Sequence, residues 1–253
     1  MTLPARWEER FCVRSYEVEP DGRLRTVALA RMLQETAWRH AHLLGKGFAE
    51  RESGSLFWVL SRLRLRVDQY PKWGEEFVIQ TWPVGTERLL AVRDFAMVLG
   101  DTVVGRMRSG WLVVDGASGR PVRPEKLVGD LPLTESEFDG DLSRIPSPPE
   151  AEDGPQHCVQ YHDIDQYRHA NNTAYLEWIT DALAMRASLS EANGQDVTLA
   201  RIRVLAMDFL KELVLRDRYR TRIADLPGHT VCEIVRDTDG EPVCRASMTW
   251  EEK

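Results

Sequence analysis

An internal repeat constrains this chain of 253 residues more than any other feature. Val104, Arg106 and Trp111 in VGRMRSGW recur 139 positions later as Val243, Arg245 and Trp250 in VCRASMTW. Upstream, Ala28 to Ala41 (ALARMLQETAWRHA) matches Ala174 to Ala187 (AYLEWITDALAMRA) at an offset of 146, with Met32 over Trp178, Leu33 over Ile179 and Glu35 over Asp181. Both stretches have helical periodicity and no proline. The difference of seven between the offsets is absorbed in the loop after each helix. Such a chain folds twice into one motif.

Strand alternation follows each helix. Leu63, Leu65 and Val67 oppose Arg62, Arg64 and Arg66, and Ile202, Val204 and Ala206 oppose Arg201, Arg203 and Leu205, the pattern of half-buried strands. Further strands are expected at Phe77 to Trp82, Leu90 to Leu99, Thr102 to Val114, Tyr219 to Ala224, Thr230 to Arg236 and Val243 to Trp250. Gly100-Asp101 and Asp239-Gly240 mark tight hairpin turns. Each half is thus a short strand, a long helix and an antiparallel meander. A lone helix cannot bury its apolar stripe, so the sheet wraps it in an α+β layer. Leu29, Met32, Leu33 and Trp38, and then Tyr175, Trp178, Ile179 and Leu183, supply core. A lipid pocket could open at the same helix–sheet junction.

The net charge of −7 is concentrated in one place. Between Pro121 and Pro155 nine acidic residues face three basic ones, a net of −6, which leaves −1 for the remainder. Seven of the thirteen prolines lie in that segment, so it reads as a stiff, solvated linker. The expected organisation is residues 1–120 as a first unit, 121–155 as linker and 156–253 as a second unit. The longest apolar runs, Leu56 to Leu60 among them, are far short of a membrane span. Arg6, Glu8, Glu9 and Arg10 stand where a signal peptide needs its apolar stretch, so a cytoplasmic protein is expected. Cys12, Cys158, Cys232 and Cys244 form no C-x-x-C pair, and the histidines at 40, 42, 157, 162 and 229 have no metal-ligand spacing. Neither a metal nor a cofactor is expected. Serine-hydrolase, P-loop, zinc-protease and dinucleotide motifs do not occur, and no basic stripe suggests nucleic acid.

One segment carries chemistry: Asp163-Ile164-Asp165-Gln166-Tyr167-Arg168-His169-Ala170-Asn171-Asn172-Thr173, running into the second helix. Asn171, Asn172 and Thr173 suit helix capping and the two acids suit a turn. The matching approach in the first half, Val18 to Thr26, lacks His and Asn, so a helix start does not need these groups. A carboxylate, an imidazole and two amides beside a helix's positive end can orient water and hold an oxyanion. That set suits hydrolysis of an ester or thioester, the latter having a leaving group of pKa about 8.5.

DIDQYRHANNTAYLEW resembles the D-x-D-x-N-x-H-V-N-N-x-x-Y-x-x-W signature of the acyl-acyl carrier protein (acyl-ACP) thioesterases of plant plastids and bacteria, which are double-hotdog proteins. RSYEVEPDGRLRTVALARMLQETAWRHA and TWPVGTERLLAVRDF resemble the opening and a first-domain segment of that family. The resemblance implies an acyl pocket and a degenerate site in the first unit, and catalysis in the second by Asp165, His169 and Glu212. Tyr167, where the family has Asn, and Asn171 and Asn172 are the implied substrate-contacting or bracing groups. The family's Cys falls on Leu213, which favours attack by carboxylate-assisted water over a thiol nucleophile. An acidic carrier bearing acyl-phosphopantetheine is the implied partner, with Arg62, Arg64, Arg66, Arg201, Arg203 and Lys211 as candidate docking positions. Alternative readings are an acyl-coenzyme A thioesterase and a non-catalytic acyl-binding protein. A homodimer is compatible with the sequence, although two tandem units already supply a helix pair.

Overall fold

The structure, a computed structural model, describes residues 4–46, 56–190 and 200–251. The helix-to-strand loops that absorb the change of repeat offset fall largely outside the described residues. The chain divides into two compact units, Met1–Leu142 and Ser143–Lys253.

The first unit contains β1 (Trp7–Cys12), α1 (Thr26–Leu43), β2 (Leu56–Val67), β3 (Glu76–Glu87), β4 (Leu90–Leu99), β5 (Thr102–Asp115), the short β6 (Pro121–Val122) and the single-turn α2 (Glu125–Val128). Its main sheet is antiparallel in the order β1-β3-β4-β5-β2, with β6 beside β5. The second unit contains β7 (Glu152–Cys158), α3 (Asn172–Ser190), β8 (Ile202–Phe209), β9 (Arg218–Leu226), β10 (His229–Arg236) and β11 (Pro242–Trp250). Its order, β8-β11-β10-β9-β7, follows the same path element by element. Both sequence matches therefore fall on equivalent pieces, the helices and the closing strands β5 and β11. Gly100 lies in the left-handed region with φ +60°, as a tight turn between β4 and β5 requires. Among the described residues no helix is long and apolar enough to cross a membrane.

Helix α1 buries Leu29, Met32, Leu33, Thr36, Ala37 and His40. Their spacing traces one stripe of a 3.6-residue helix, which packs on β3 and β1. Helix α3 buries Tyr175, Trp178, Ile179 and Leu183 against β9 and β10. One expected register fails. In β8, Val204 is exposed while Leu205 and Met207 are buried, the reverse of the alternation expected for Val204 and Leu205. A bulge explains it, because β11 pairs Thr249 with Val204 but Trp250 with Ile202. The extra residue flips the faces beyond it.

The acidic segment, expected to be a solvated linker, is mostly exposed between 129 and 150 but is hydrogen-bonded to the units at several points. In the first unit Asp94, buried on β4, takes a bidentate pair from Arg108 of β5, at 2.8 and 3.1 Å. Arg108 also donates to the Gly140 carbonyl at 2.9 Å and to the Ser136 hydroxyl, which donates to Asp94 at 2.8 Å. Trp82 Nε1 donates to the Glu135 carbonyl at 3.1 Å, and Leu142 packs on Leu90 and Val92. In the second unit buried Glu233 accepts from Arg245 at 2.7 Å and Ser147 at 3.0 Å, and Asp208 accepts the Ile145 N–H at 2.7 Å. Glu233 follows Asp94 by the same offset of 139 that links the closing strands. Each unit thus uses a buried acid on its fourth strand to hold part of the segment as a strap.

Two predictions follow from these buried polar groups. Arg108→Ala leaves the Asp94 carboxylate buried without its counter-ion and should cost about 3 kcal/mol or more in urea unfolding. A loss within about 0.5 kcal/mol would show that the strap is not held this way. His40 is buried, accepts from Arg93 Nη1 at 2.9 Å through Nδ1, and through Nε2 donates to the Pro4 carbonyl at 3.0 Å. Burial first, and then the Arg93 charge, push its pKa from 6.5 down to about 4. The unfolded chain therefore binds the proton first, so the stability present above pH 6.5 is lost as pH falls toward about 4. In His40→Gln the stability difference between about pH 7 and about pH 4.5 should shrink by roughly 2 kcal/mol.

Candidate active site

The approach to α3 is built by backbone bonds together with bonds to the side chains of Asp163, Asp165 and Asn171. A 3-10 turn spans Tyr161–Asp163. Buried Asp163 accepts the Gln160 N–H at 2.7 Å and the Trp178 indole N–H at 3.3 Å, which ties the loop to the helix beneath it. Asp165 N donates to the His169 carbonyl and Arg168 N to the Asp165 carbonyl, both at 2.9 Å. This closes a tight turn in which Arg168 takes the left-handed conformation, φ +67°. The Asp165 carboxylate accepts the Tyr167 N–H at 2.8 Å. Asn171 caps α3: its Oδ1 accepts from the Thr173 N–H at 2.9 Å and the Thr173 hydroxyl at 2.8 Å. Asn172 opens the helix, half-buried, with no hydrogen-bond partner for its side chain among the described residues.

A second loop, between β8 and β9, brings the acid. Ala170 N donates to the Leu213 carbonyl at 2.8 Å, and Leu213 N donates to the Tyr175 hydroxyl at 3.0 Å. Residue 213 is fixed from both sides, and the carboxylate one position earlier meets the imidazole one position before Ala170. Glu212 Oε2 lies 3.2 Å from His169 Nε2, with the two side chains 55% and 35% exposed. The structure therefore joins His169 and Glu212 directly, and joins Asp165 to His169 through the backbone of one turn. Tyr167 is half-buried in that turn and Asn171 is occupied as the cap.

The first unit makes the same two loops without the chemistry. Glu19 N donates to the Arg23 carbonyl, Gly22 N to the Glu19 carbonyl, Leu24 N to the Pro71 carbonyl and Arg25 N to the Glu17 carbonyl, all at 2.8–2.9 Å. Each repeats, at offsets of 146 and 142, a bond of the second unit. His169 corresponds to Arg23, Glu212 to Tyr70, Tyr175 to Leu29 and Leu213 to Pro71. The His, the acid and the two amides are thus not needed to build this backbone.

Position 213 carries no thiol. Leu213 is fully buried, with its N–H and carbonyl both engaged. Burial pushes the Cys232 thiol up to about 12 and raises that of Cys244 as well. Among the described residues no three His, Cys, Asp or Glu side chains form a metal-binding group.

Residues 4–128 match the acyl-ACP thioesterase N-terminal domain and residues 147–252 the acyl-ACP thioesterase C-terminal domain. The chain belongs to the acyl-ACP thioesterase family. It is 26% identical to an acyl-ACP thioesterase from Bacteroides thetaiotaomicron, whose crystal structure superposes with a TM-score of 0.85 over 98% of each chain. It is 29% identical over 200 residues to an oleoyl-acyl carrier protein thioesterase of Coriandrum sativum, and 27% identical over 286 to one of Arabidopsis thaliana. The matches cover 70% and 98% of this chain but 53% and 76% of those plant proteins, so the chain spans about half the length of the first. The two units are the double hotdog of this family.

Two structural features lie outside the residue patterns. Tyr175 is core, as expected, but its hydroxyl also accepts the Leu213 N–H, and Arg168, at an unspecified position of the signature, takes the left-handed conformation. The offset of 146 was the available signal, since it sets Arg168 over Gly22 and Tyr175 over Leu29. Tyr175→Leu should cost about 1–3 kcal/mol, because the Leu213 N–H loses its acceptor. Adding Leu213→Pro, which restores the Leu29–Pro71 pairing of the first unit, should recover most of that loss in urea unfolding. If the double variant were less stable than Tyr175→Leu alone, the equivalence of the two loops would fail.

Proposed function

We propose that this chain hydrolyses the thioester of fatty acyl-ACP, releasing free fatty acid and carrier protein. The observation that carries the reading is the contact of His169 with Glu212, held by two interlocked loops in the unit that bears the signature. Asp165 and Glu212 hold and polarise a water, and one of them takes its proton as the oxygen attacks the thioester carbonyl. His169, oriented by Glu212, binds the thioester end. At the start of α3 the N–H groups of Asn171, Thr173 and Ala174 are engaged internally. The Asn172 N–H is left to face the oxyanion of the tetrahedral intermediate. Collapse of that intermediate breaks the carbon–sulfur bond, and the thiolate leaves and takes up the proton.

The basic positions expected to meet the carrier are mostly engaged within their own unit. Arg66 pairs with Asp68 at 2.8 Å and Lys211 with Glu241 at 3.0 Å, while Arg62 and Arg64 donate to the carbonyls of Leu142 and Leu63. Arg203 is exposed.

Turnover of acyl-ACP of graded chain length, beside the matching acyl-coenzyme A, tests the reading. Asp165→Asn and Glu212→Gln should each lower kcat on the order of 10²-fold or more while circular dichroism stays unchanged. Normal turnover in both folded variants would sink the assignment. Preference for coenzyme A would move the substrate class, and retention of a fatty acyl ligand without turnover would make the protein a binder.

A further inference from the structure

The two loops that frame His169 and Glu212 contain two left-handed positions. In the first unit both are glycine, Gly22 at φ +79° and Gly74 at φ +81°. In the second unit both are arginine, Arg168 at φ +67° and Arg216 at φ +74°. The equivalence is set by hydrogen bonds rather than by alignment alone. Gly22 N donates to the Glu19 carbonyl as Arg168 N does to that of Asp165, and Gly74 N donates to the Val13 carbonyl as Arg216 N does to that of Val159. A residue with a Cβ costs about 1 kcal/mol in this conformation, and glycine costs nothing. The second unit bears that cost twice, with the same residue type, in the two loops that carry the candidate acid and imidazole.

Nothing within the unit repays it. Both side chains are exposed, and neither makes a hydrogen bond or ion pair among the described residues. Arg168 immediately precedes His169, and Arg216 lies four residues beyond Glu212. The bond from Ala170 to Leu213 holds the two loops edge to edge. Arg88 and Glu150 are also left-handed, but only Arg168 and Arg216 lie beside the candidate pair, and backbone strain clusters at ligand clamps. Guanidinium groups there suit an anion that presents several oxygens.

We propose that Arg168 and Arg216 bind the phosphate of the phosphopantetheine arm and so hold the thioester against the His169–Glu212 pair. The inference rests on the hydrolase reading and adds how the sulfur side of the substrate is recognised. The phosphate is favoured over acidic side chains of the carrier because it is the anion nearest the thioester on any such substrate. It is also shared by carrier-bound and coenzyme A thioesters.

The test uses the full chain with Arg168→Gly and Arg216→Gly combined, which restores the residues that the first unit has at these positions. The variant should fold and gain stability. Its probes are the same acyl group on pantetheine, on phosphopantetheine and on the carrier. In the unaltered protein KM for acyl-phosphopantetheine should be roughly fivefold or more below that for acyl-pantetheine, and in the variant the ratio should approach one. A ratio equal in both proteins overturns the proposal. So does a rise in KM confined to the carrier-bound substrate, which would assign the arginines to acidic side chains of the carrier instead. Absence of turnover on every probe in the unaltered protein would bring down the hydrolase reading itself, and is distinguished by retained binding of the phosphate-bearing arm in a calorimetric titration.

Discussion

One backbone hydrogen bond, made once in each unit, holds the rest of the site in place. It runs from Leu24 N to the Pro71 carbonyl in the first unit and from Ala170 N to the Leu213 carbonyl in the second, at 2.8 Å in both. It clamps the entry of the long helix to the loop between the first two strands of the meander, β2 and β3 in the first unit and β8 and β9 in the second. In the second unit the residue before the donor, His169, and the residue before the acceptor, Glu212, bring their side chains to 3.2 Å. In the first unit the corresponding positions are Arg23, which pairs with Lys72 instead, and Tyr70, which is buried and bonds to Thr26 at 2.9 Å. One backbone clamp therefore serves both copies, and the candidate imidazole and acid stand beside it in only one of them.

That division explains what was legible in the sequence. Helices and meanders show because burial imposes a period, and both copies bury the same faces. The expected strand limits at Leu90 to Leu99 match β4, while β3 runs on to Glu87 because its pairing with β4 continues past a register shift at Pro83. The reversal at Val204 and Leu205 was hidden, since a bulge depends on the partner strand and leaves no local mark. The strap was hidden for a different reason. Its composition is that of solvated chain, yet it is held by acids on other strands, and a buried acid–arginine pair has no sequence period. The candidate site was legible where spacing is short, from Asp163 to Thr173. Glu212 was reachable only through the resemblance, because the bond that brings it to His169 spans more than forty residues of sequence.

The local chemistry is arranged so that position does the work. Glu212 and His169 are both substantially open to solvent, and their pairing at 3.2 Å gains little from a low dielectric. What restrains them is the backbone behind them. Tyr175 accepts the Leu213 N–H, and its ring is fixed against Trp178 at 5.0 Å and edge-on to Phe209 at 5.8 Å. Trp178 in turn holds Asp163, which ties down the turn that presents Asp165 and His169. The Asp, Tyr and Trp of the signature therefore lie mostly beneath the candidate groups and form one hydrogen-bonded and aromatic chain that fixes both loops.

The first unit shows what such a chain is not needed for. With Leu29 at the place of Tyr175 and Pro71 at the place of Leu213, no N–H is left to satisfy and the loops close all the same. Proline also fixes its own φ, so the first copy obtains a stiff loop from covalent geometry. The second copy keeps an N–H there and satisfies it with a tyrosine hydroxyl drawn from the helix, which links the acid-bearing loop to α3. The same logic covers the exchange of glycine for arginine at the two left-handed positions. Each departure from the simpler copy adds a buried polar bond or about 1 kcal/mol of backbone strain, and each lies within a few residues of His169 or Glu212.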